Sequence, residues 1–261
     1  MLFRKIKNKI YDLLAKRISH NSFLLGKVLA KNRNRLVAES IGYPSIINNG
    51  YLHIEQVFDT AVFFQLKSRK GIVVDAGAAE GSISIMLEEF FTESQIYSFE
   101  PIKSTFENLA ANTKDHHRIH VLNKALGSEQ KNLSINKAQR ITSSSLYPME
   151  KEIKDSYFAE NIVKTGEEII SVAKMDDEIP DDLPVNLIKI DVQGFELEVL
   201  KGGIKTLSRT SMIILEMQNH DLYIGAPKYY ELDSFLRQNY FVLYNIVPSL
   251  RKNKKLYEWD A

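Results

Sequence analysis

Residues 71–91, GIVVDAGAAEGSISIMLEEFF, restrict the fold of this chain more than any other stretch. The apolar run Ile72-Val73-Val74 reaches Asp75, passes Gly77 and Gly81, and then takes on apolar spacing of helical period. A buried strand, a glycine turn and a helix form the opening unit of a doubly wound α/β sheet. The same alternation continues along the chain. QIYSFE reads as a strand, KSTFENLAANTK as a helix and RIHVLNKAL as a strand, with KNLSINKA as a short extra strand. EIISVAKM, NLIKID, SMIILEM and YFVLYNIV read as further strands, and KKLYEWDA as a last one. FELEVLKGGIKTL and YYELDSFLRQN read as helices. ITSSSLYPM reads as loop, and Asp176 to Pro184 as a loop or short helix. This order predicts a mostly parallel sheet covered on both faces. At 261 residues and 44% hydrophobic content, the chain can bury the core of one large domain.

Before that domain, residues 1–53 are expected to form a basic, helical N-terminal extension, leaving 54–261 as the α/β domain. Up to Arg35 there are ten Lys or Arg and one acid, Asp12, so the net charge of +1 conceals an acidic body. Leu2, Phe3, Ile6, Ile10, Leu13 and Leu14 recur at near-helical spacing. Residues 1–35 therefore suit either a helix packed on the domain or peripheral contact with an anionic membrane surface. The acidic body argues against a nucleic-acid partner. The absence of cysteine excludes disulfides and thiolate metal sites. Without a long apolar run or a signal-like N-terminus, the expected location is cytoplasmic, with the inner membrane face as an extension of it.

The loop VVDAGAAEG lies where such a sheet binds its ligand, beyond the carboxyl end of a strand. Gly77 and Gly81 allow a ligand close to the backbone. No Gly-Lys-Ser/Thr follows, so the loop is not a P-loop, and a third dinucleotide glycine is missing. Asp75 and Glu80 would oppose a pyrophosphate but suit a cation rich in hydroxyls. S-adenosylmethionine has those properties. Glu100, closing the second strand before Pro101, is placed to accept ribose hydroxyls, or else to cap the next helix. The expected cofactor-binding set is Asp75, Gly77, Ala78, Glu80, Gly81, Glu100 and Pro101, with Asn123 and Ala125 near the adenine and Asp191 across the crevice.

The second dense stretch is LIKIDVQGFELEVLKGG, residues 187–203. Asp191 ends a strand there and faces the crevice, caps the following helix, or does both. An acceptor hydroxyl needs a general base or a metal to become a nucleophile. Asp191 is the first candidate base, with Glu216 and His220 of IILEMQNH as the others. His220 reads also as a surface histidine in a loop. Asp191 and Glu216 are also the candidate ligands for magnesium, which prefers oxygen donors. Lys189, inside the strand, is placed to balance neighbouring carboxylates. Ser143 to Ser145 can line the mouth or form plain loop, and Tyr147, Tyr157 and Phe158 can stack on an acceptor or pack in a core.

Taken in order, VVDAGAAEGSIS, SFEP, KALG, SSSL, IKIDVQGFELEVLKGG and IILE resemble the FkbM-type S-adenosylmethionine-dependent methyltransferases over roughly residues 71–220. The family more often has Asp-Val-Glu-Gly where this chain has Asp191-Val192-Gln193-Gly194, and Gly-Ala-Asn where it has Gly77-Ala78-Ala79. The resemblance implies a seven-stranded class I methyltransferase fold and O-methylation of a sugar in a glycan or glycolipid precursor, or of a polyketide-like product. A nucleic-acid methyltransferase would show Asn/Asp-Pro-Pro-Tyr/Phe in place of Asp191-Val-Gln-Gly. A nicotinamide-dependent oxidoreductase would require the missing glycine. Oligomeric state is not legible in the chain.

Overall fold

The computed structural model describes residues 65–148, 163–219, 223–252 and 255–261. The expected extension over 1–53 lies outside them, as do Tyr157, Phe158 and His220. Strand β1 (Gly71–Ala76) is buried at every position, so it belongs at the centre of a sheet covered on both faces. Helix α1 (Ser82–Phe90), strand β2 (Ser94–Phe99), helix α2 (Lys103–Asn112) and strand β3 (Ile119–Leu122) follow. Two strands, β4 (Ala125–Leu126) and β5 (Lys131–Ala138), precede β6 (Lys164–Ala173) and a short helix α3 (Met175–Glu178). Strand β7 (Val185–Ile190) is again wholly buried. Helices α4 (Glu196–Lys201) and α5 (Ile204–Leu207), strand β8 (Ile213–Gln218) and helix α6 (Tyr229–Gln238) lead to β9 (Val247–Lys252) and β10 (Lys255–Asp260).

Seven strands form one sheet in the order β3-β2-β1-β7-β8-β10-β9. The first five are parallel to their neighbours, and β10 is antiparallel to both β8 and β9. The expected mostly parallel seven-stranded sheet is therefore present. Three further strands make a second sheet, β4-β6-β5. The chain builds outward from β1 through β2 to β3, then returns to place β7 on the other side of β1. This reversal opens a crevice at the carboxyl ends of β1 and β7. Ile72, Val74, Ile188, Ile190, Val199 and Leu215 belong to the main core. Ile102, Ala125, Ile135, Ile170 and Val172 form a separate apolar cluster that joins the small sheet to the chain after β2.

Three sequence expectations change. RIHVLNKAL is not one strand, because the chain leaves the large sheet at Asn123 and joins the small one at Ala125. The Asn123 side chain fixes this transfer by donating to the carbonyls of Glu100 at 2.9 Å and Pro101 at 3.0 Å. FELEVLKGGIKTL breaks into two helices at Gly202-Gly203. A Cβ on Gly202 would lie 1.9 Å from the Gly127 carbonyl oxygen, so the helix crosses that backbone where only glycine fits. YFVLYNIV does not pair before Val247. Tyr240 takes φ +68 after α6 and turns the chain, leaving Tyr240, Val242 and Tyr244 exposed.

Candidate functional site

A cleft opens at the carboxyl ends of β1, β2 and β7. Gly77, Glu100 and Asp191 line it from those three strand ends, with Ala79, Pro101 and Gln193 beside them. Its apolar side is made by Phe99, Ile102, Ala125, Leu126, Ile135, Ile141 and Phe195, and Thr142, Ser144 and Leu146 complete the wall. Of the expected cofactor set, Gly77, Glu100, Pro101, Ala125 and Asp191 therefore meet in one cleft.

The remaining loop residues stand behind it. Asp75 is fully buried beneath the loop. Sheet register places Asp75 opposite Ser98 on β2 and opposite Lys189 on β7. The Lys189 ammonium lies 3.1 Å from Asp75 Oδ1, donates to the Gly77 carbonyl at 2.9 Å, and lies 3.8 Å from Asp191 Oδ2. Ser84 Oγ donates to Asp75 Oδ2 at 2.7 Å and itself accepts from Ser98 Oγ at 2.9 Å. Burial alone would lower the Lys189 pKa, but the carboxylates of Asp75 and Asp191 reverse this and hold it above the ordinary value. Lys189 thus carries a fixed positive charge beneath the cleft floor. Ala78 is buried with its N–H on the Phe99 carbonyl, and Gly81 is the N-cap residue of α1, packed against Leu109. Glu80 turns toward α2, where Asn108 and Asn112 donate to its side chain and carbonyl. Asn123 holds the turn after β2, as described above.

The glycine turn has a strict steric cause. Gly77 takes φ +80, and a Cβ there would sit 1.9 Å from the Asp191 carbonyl oxygen. The loop after β1 and the chain after β7 touch through backbone alone at this point. Glu100 closes β2 and is 6% exposed. Its Oε2 accepts from the Ala79 N–H at 3.1 Å and its Oε1 from the Ile102 N–H at 2.9 Å. Burial raises its pKa to about 7, although those two N–H groups and the Lys189 charge pull the other way.

Asp191 is far more open than Asp75 or Glu100, its side chain 43% exposed. The amide nitrogen of Gln193 donates to Asp191 Oδ1 at 2.8 Å and to Glu216 Oε2 at 3.2 Å. Glu216 lies on β8 and also accepts from Gln218 at 2.9 Å. The main chain of Gln193 takes φ +54, and its carbonyl accepts from Ser145 Oγ at 2.6 Å. Glu196 Oε1 accepts from the N–H groups of Gly194 at 3.0 Å and Val192 at 3.3 Å, fixing the turn below Asp191. Burial raises the Glu196 pKa to about 7, the N–H groups opposing and the Asp191 charge adding to the rise. Tyr147 packs against Phe195, with ring centroids 5.7 Å apart.

Among the described residues, no group of three or more His, Asp or Glu converges as a metal site. The Asp191–Glu216 pair does not fit magnesium, because amide hydrogens of Gln193 occupy the space between the carboxylates. Sequence reading missed the Ser84–Ser98 relay and Tyr223. The first was visible only as serines in GSIS and YSF, whose meeting depends on register. Tyr223 has no local signature.

The strand order, with the single reversed strand β10 next to last, and a cleft at the ends of β1, β2 and β7 define a class I methyltransferase fold. The family described as Methyltransferase FkbM domain matches residues 75–243, and the chain belongs to that family. Methyltransferase 1 of Beauveria bassiana is 28% identical over 163 residues, 58% of this chain and 64% of that protein, so the chain spans less than two thirds of that relative. Among solved structures, magnesium protoporphyrin IX methyltransferase from Synechocystis with bound S-adenosylmethionine superposes with a TM-score of 0.42 at 12% identity, covering 88% of this chain and 95% of that one. Aeropyrum pernix fibrillarin, solved with the same cofactor, gives 0.43 at 9% identity over 75% and 67%.

Proposed function

We propose that the protein is an S-adenosylmethionine-dependent O-methyltransferase that modifies a sugar hydroxyl in a glycan or glycolipid precursor. The observation carrying this reading is the convergence of Gly77, Glu100 and Asp191 on one cleft at the sheet reversal. The residues present fit the cofactor. Gly77 lets the loop after β1 close onto the Asp191 carbonyl, which brings the ends of β1 and β7 together at the cleft. Each Glu100 oxygen accepts one backbone N–H and keeps a lone pair for a ribose hydroxyl. The apolar wall of Ile102, Ala125, Leu126 and Ile135 suits an adenine ring.

The cofactor would supply a methyl group activated on a sulfonium. The chain's own part is to hold, orient and deprotonate. The Asp191 carboxylate favours a cation in the cleft, such a cation would draw the Glu100 carboxyl to its charged form, and the single Lys189 charge beneath is already shared between Asp75 and Asp191. Asp191, open to the cleft and held on both oxygens, takes the proton that the acceptor hydroxyl loses. Thr142 and Ser144 line the facing wall, where a polyol would sit. The basic segment 1–35 would bring the domain to an anionic membrane carrying such an acceptor.

Incubating the protein with labelled cofactor and candidate glycolipid extracts tests the reading. The expected product is one methyl heavier, and Asp191→Asn should lower turnover at saturating cofactor by about 100-fold or more. Methyl transfer to nucleic acid instead, or full activity in Asp191→Asn, would overturn it. Flotation with anionic liposomes, with and without residues 1–35, tests the membrane contact.

A further inference from the structure

The side chain of Gln193 sits between the two carboxylates best placed to share a cation. Its nitrogen donates to Asp191 at 2.8 Å and Glu216 at 3.2 Å. Its oxygen accepts from the Tyr223 hydroxyl at 2.8 Å, and the same hydroxyl reaches the Ser143 carbonyl at 3.0 Å. The two acids set the orientation of the amide, since carboxylates only accept: both N–H groups turn toward them and the oxygen toward Tyr223, whose single hydrogen serves either Gln193 or Ser143. The residue cannot readily swing away, because its main chain is held by Ser145 at 2.6 Å and is followed by Gly194 at φ +100.

We propose that Gln193 is a positioning residue that takes the place of a cation. Its amide ties Asp191 to Glu216 without adding charge and closes this part of the site to divalent metals. Two carboxylates brought near one another repel unless something positive lies between them. A magnesium or manganese ion answers this with a full charge and needs about six oxygen donors. A primary amide answers it with two polarised hydrogens, which repel a metal ion. With Oε1 turned to Tyr223, Gln193 offers no oxygen in that direction. A glutamate at position 193 would reverse the situation. Three carboxylates would then face one point, and a divalent cation would be drawn in. The inference rests on the methyl-transfer reading only for the use made of Asp191.

Manganese serves as the probe, since its free ion is counted by electron paramagnetic resonance. The full chain, Gln193→Glu and Tyr223→Phe are titrated, and each is melted with manganese and with chelator. The native protein should show no site that Asp191→Asn removes. Gln193→Glu should melt lower in chelator, recover with manganese, and bind the ion at least about tenfold more tightly than the native chain. Should Gln193→Glu not fold, Tyr223→Phe decides. Without the phenol, the amide can turn its oxygen inward and manganese affinity should rise measurably. A native manganese site lost in Asp191→Asn contradicts the proposal, as does the absence of any gain in the variants. No cofactor enters these titrations, so failure to bind S-adenosylmethionine would count against the proposed function and leave this result separate.

Discussion

Single atoms decide what the cleft can hold. Glu100 is the clearest case, a nearly buried carboxylate with one backbone N–H on each oxygen. A hydrogen bond to a charged group is worth about 1.5–3 kcal/mol, so Glu100→Ala should weaken S-adenosylmethionine binding by roughly ten- to a hundredfold in calorimetry. Equal affinity in the variant would remove Glu100 from the site. The roles of Glu100 and Asp191 as strand-ending acids were legible in sequence, because each follows an apolar run and precedes a helix signal. The position of Asp75 was not. Its side chain faces Ser84 and Lys189 because register sets it opposite Lys189, and register is a property of pairing that no local pattern records.

Elements carry the site by meeting at one sheet edge. The row Ser98, Asp75 and Lys189 crosses β2, β1 and β7 just below the cleft. Breaking one partner of a buried ion pair is more costly than replacing both. Lys189→Met should therefore lose about 3–5 kcal/mol in denaturant unfolding, and adding Asp75→Asn should recover a substantial part. Additive losses in the double variant would show that the pair does not act together. The apolar run Ile72-Val73-Val74 made β1 plain from sequence, whereas β7 is as fully buried but carries Asn186 and Lys189. The transfer of the chain at Asn123 and the break at Gly202-Gly203 depend on contacts with Glu100 and Gly127, which are distant in sequence. The run after Tyr240 has strand-like composition, but a ladder requires a partner edge as well as propensity.

At the scale of the whole molecule, two buried carboxyls tie stability to pH. Glu100 and Glu196 both rise to about 7 in the folded protein, from an ordinary value of 4.5. Between those values the folded state holds protons that the unfolded state has released, so stability should fall as pH rises from 4.5 toward 7 and level off above. Glu196→Gln should flatten this decline, by an amount on the order of 3 kcal/mol, in unfolding curves taken across the range. An unchanged slope would mean that Glu196 is not protonated in the fold. The architecture and the family were readable from strand-helix alternation and the motifs around Asp75 and Asp191. The second sheet and the Gln193–Tyr223 tie were not, because they join segments remote from one another in the chain. A cationic methyl donor in the cleft between Gly77, Glu100 and Asp191 underlies all of this, and calorimetric titration of S-adenosylmethionine into the chain is the sharpest test of it. One saturable site per chain is expected, weakened by Glu100→Ala. No heat of binding, or a site indifferent to that substitution, would contradict it.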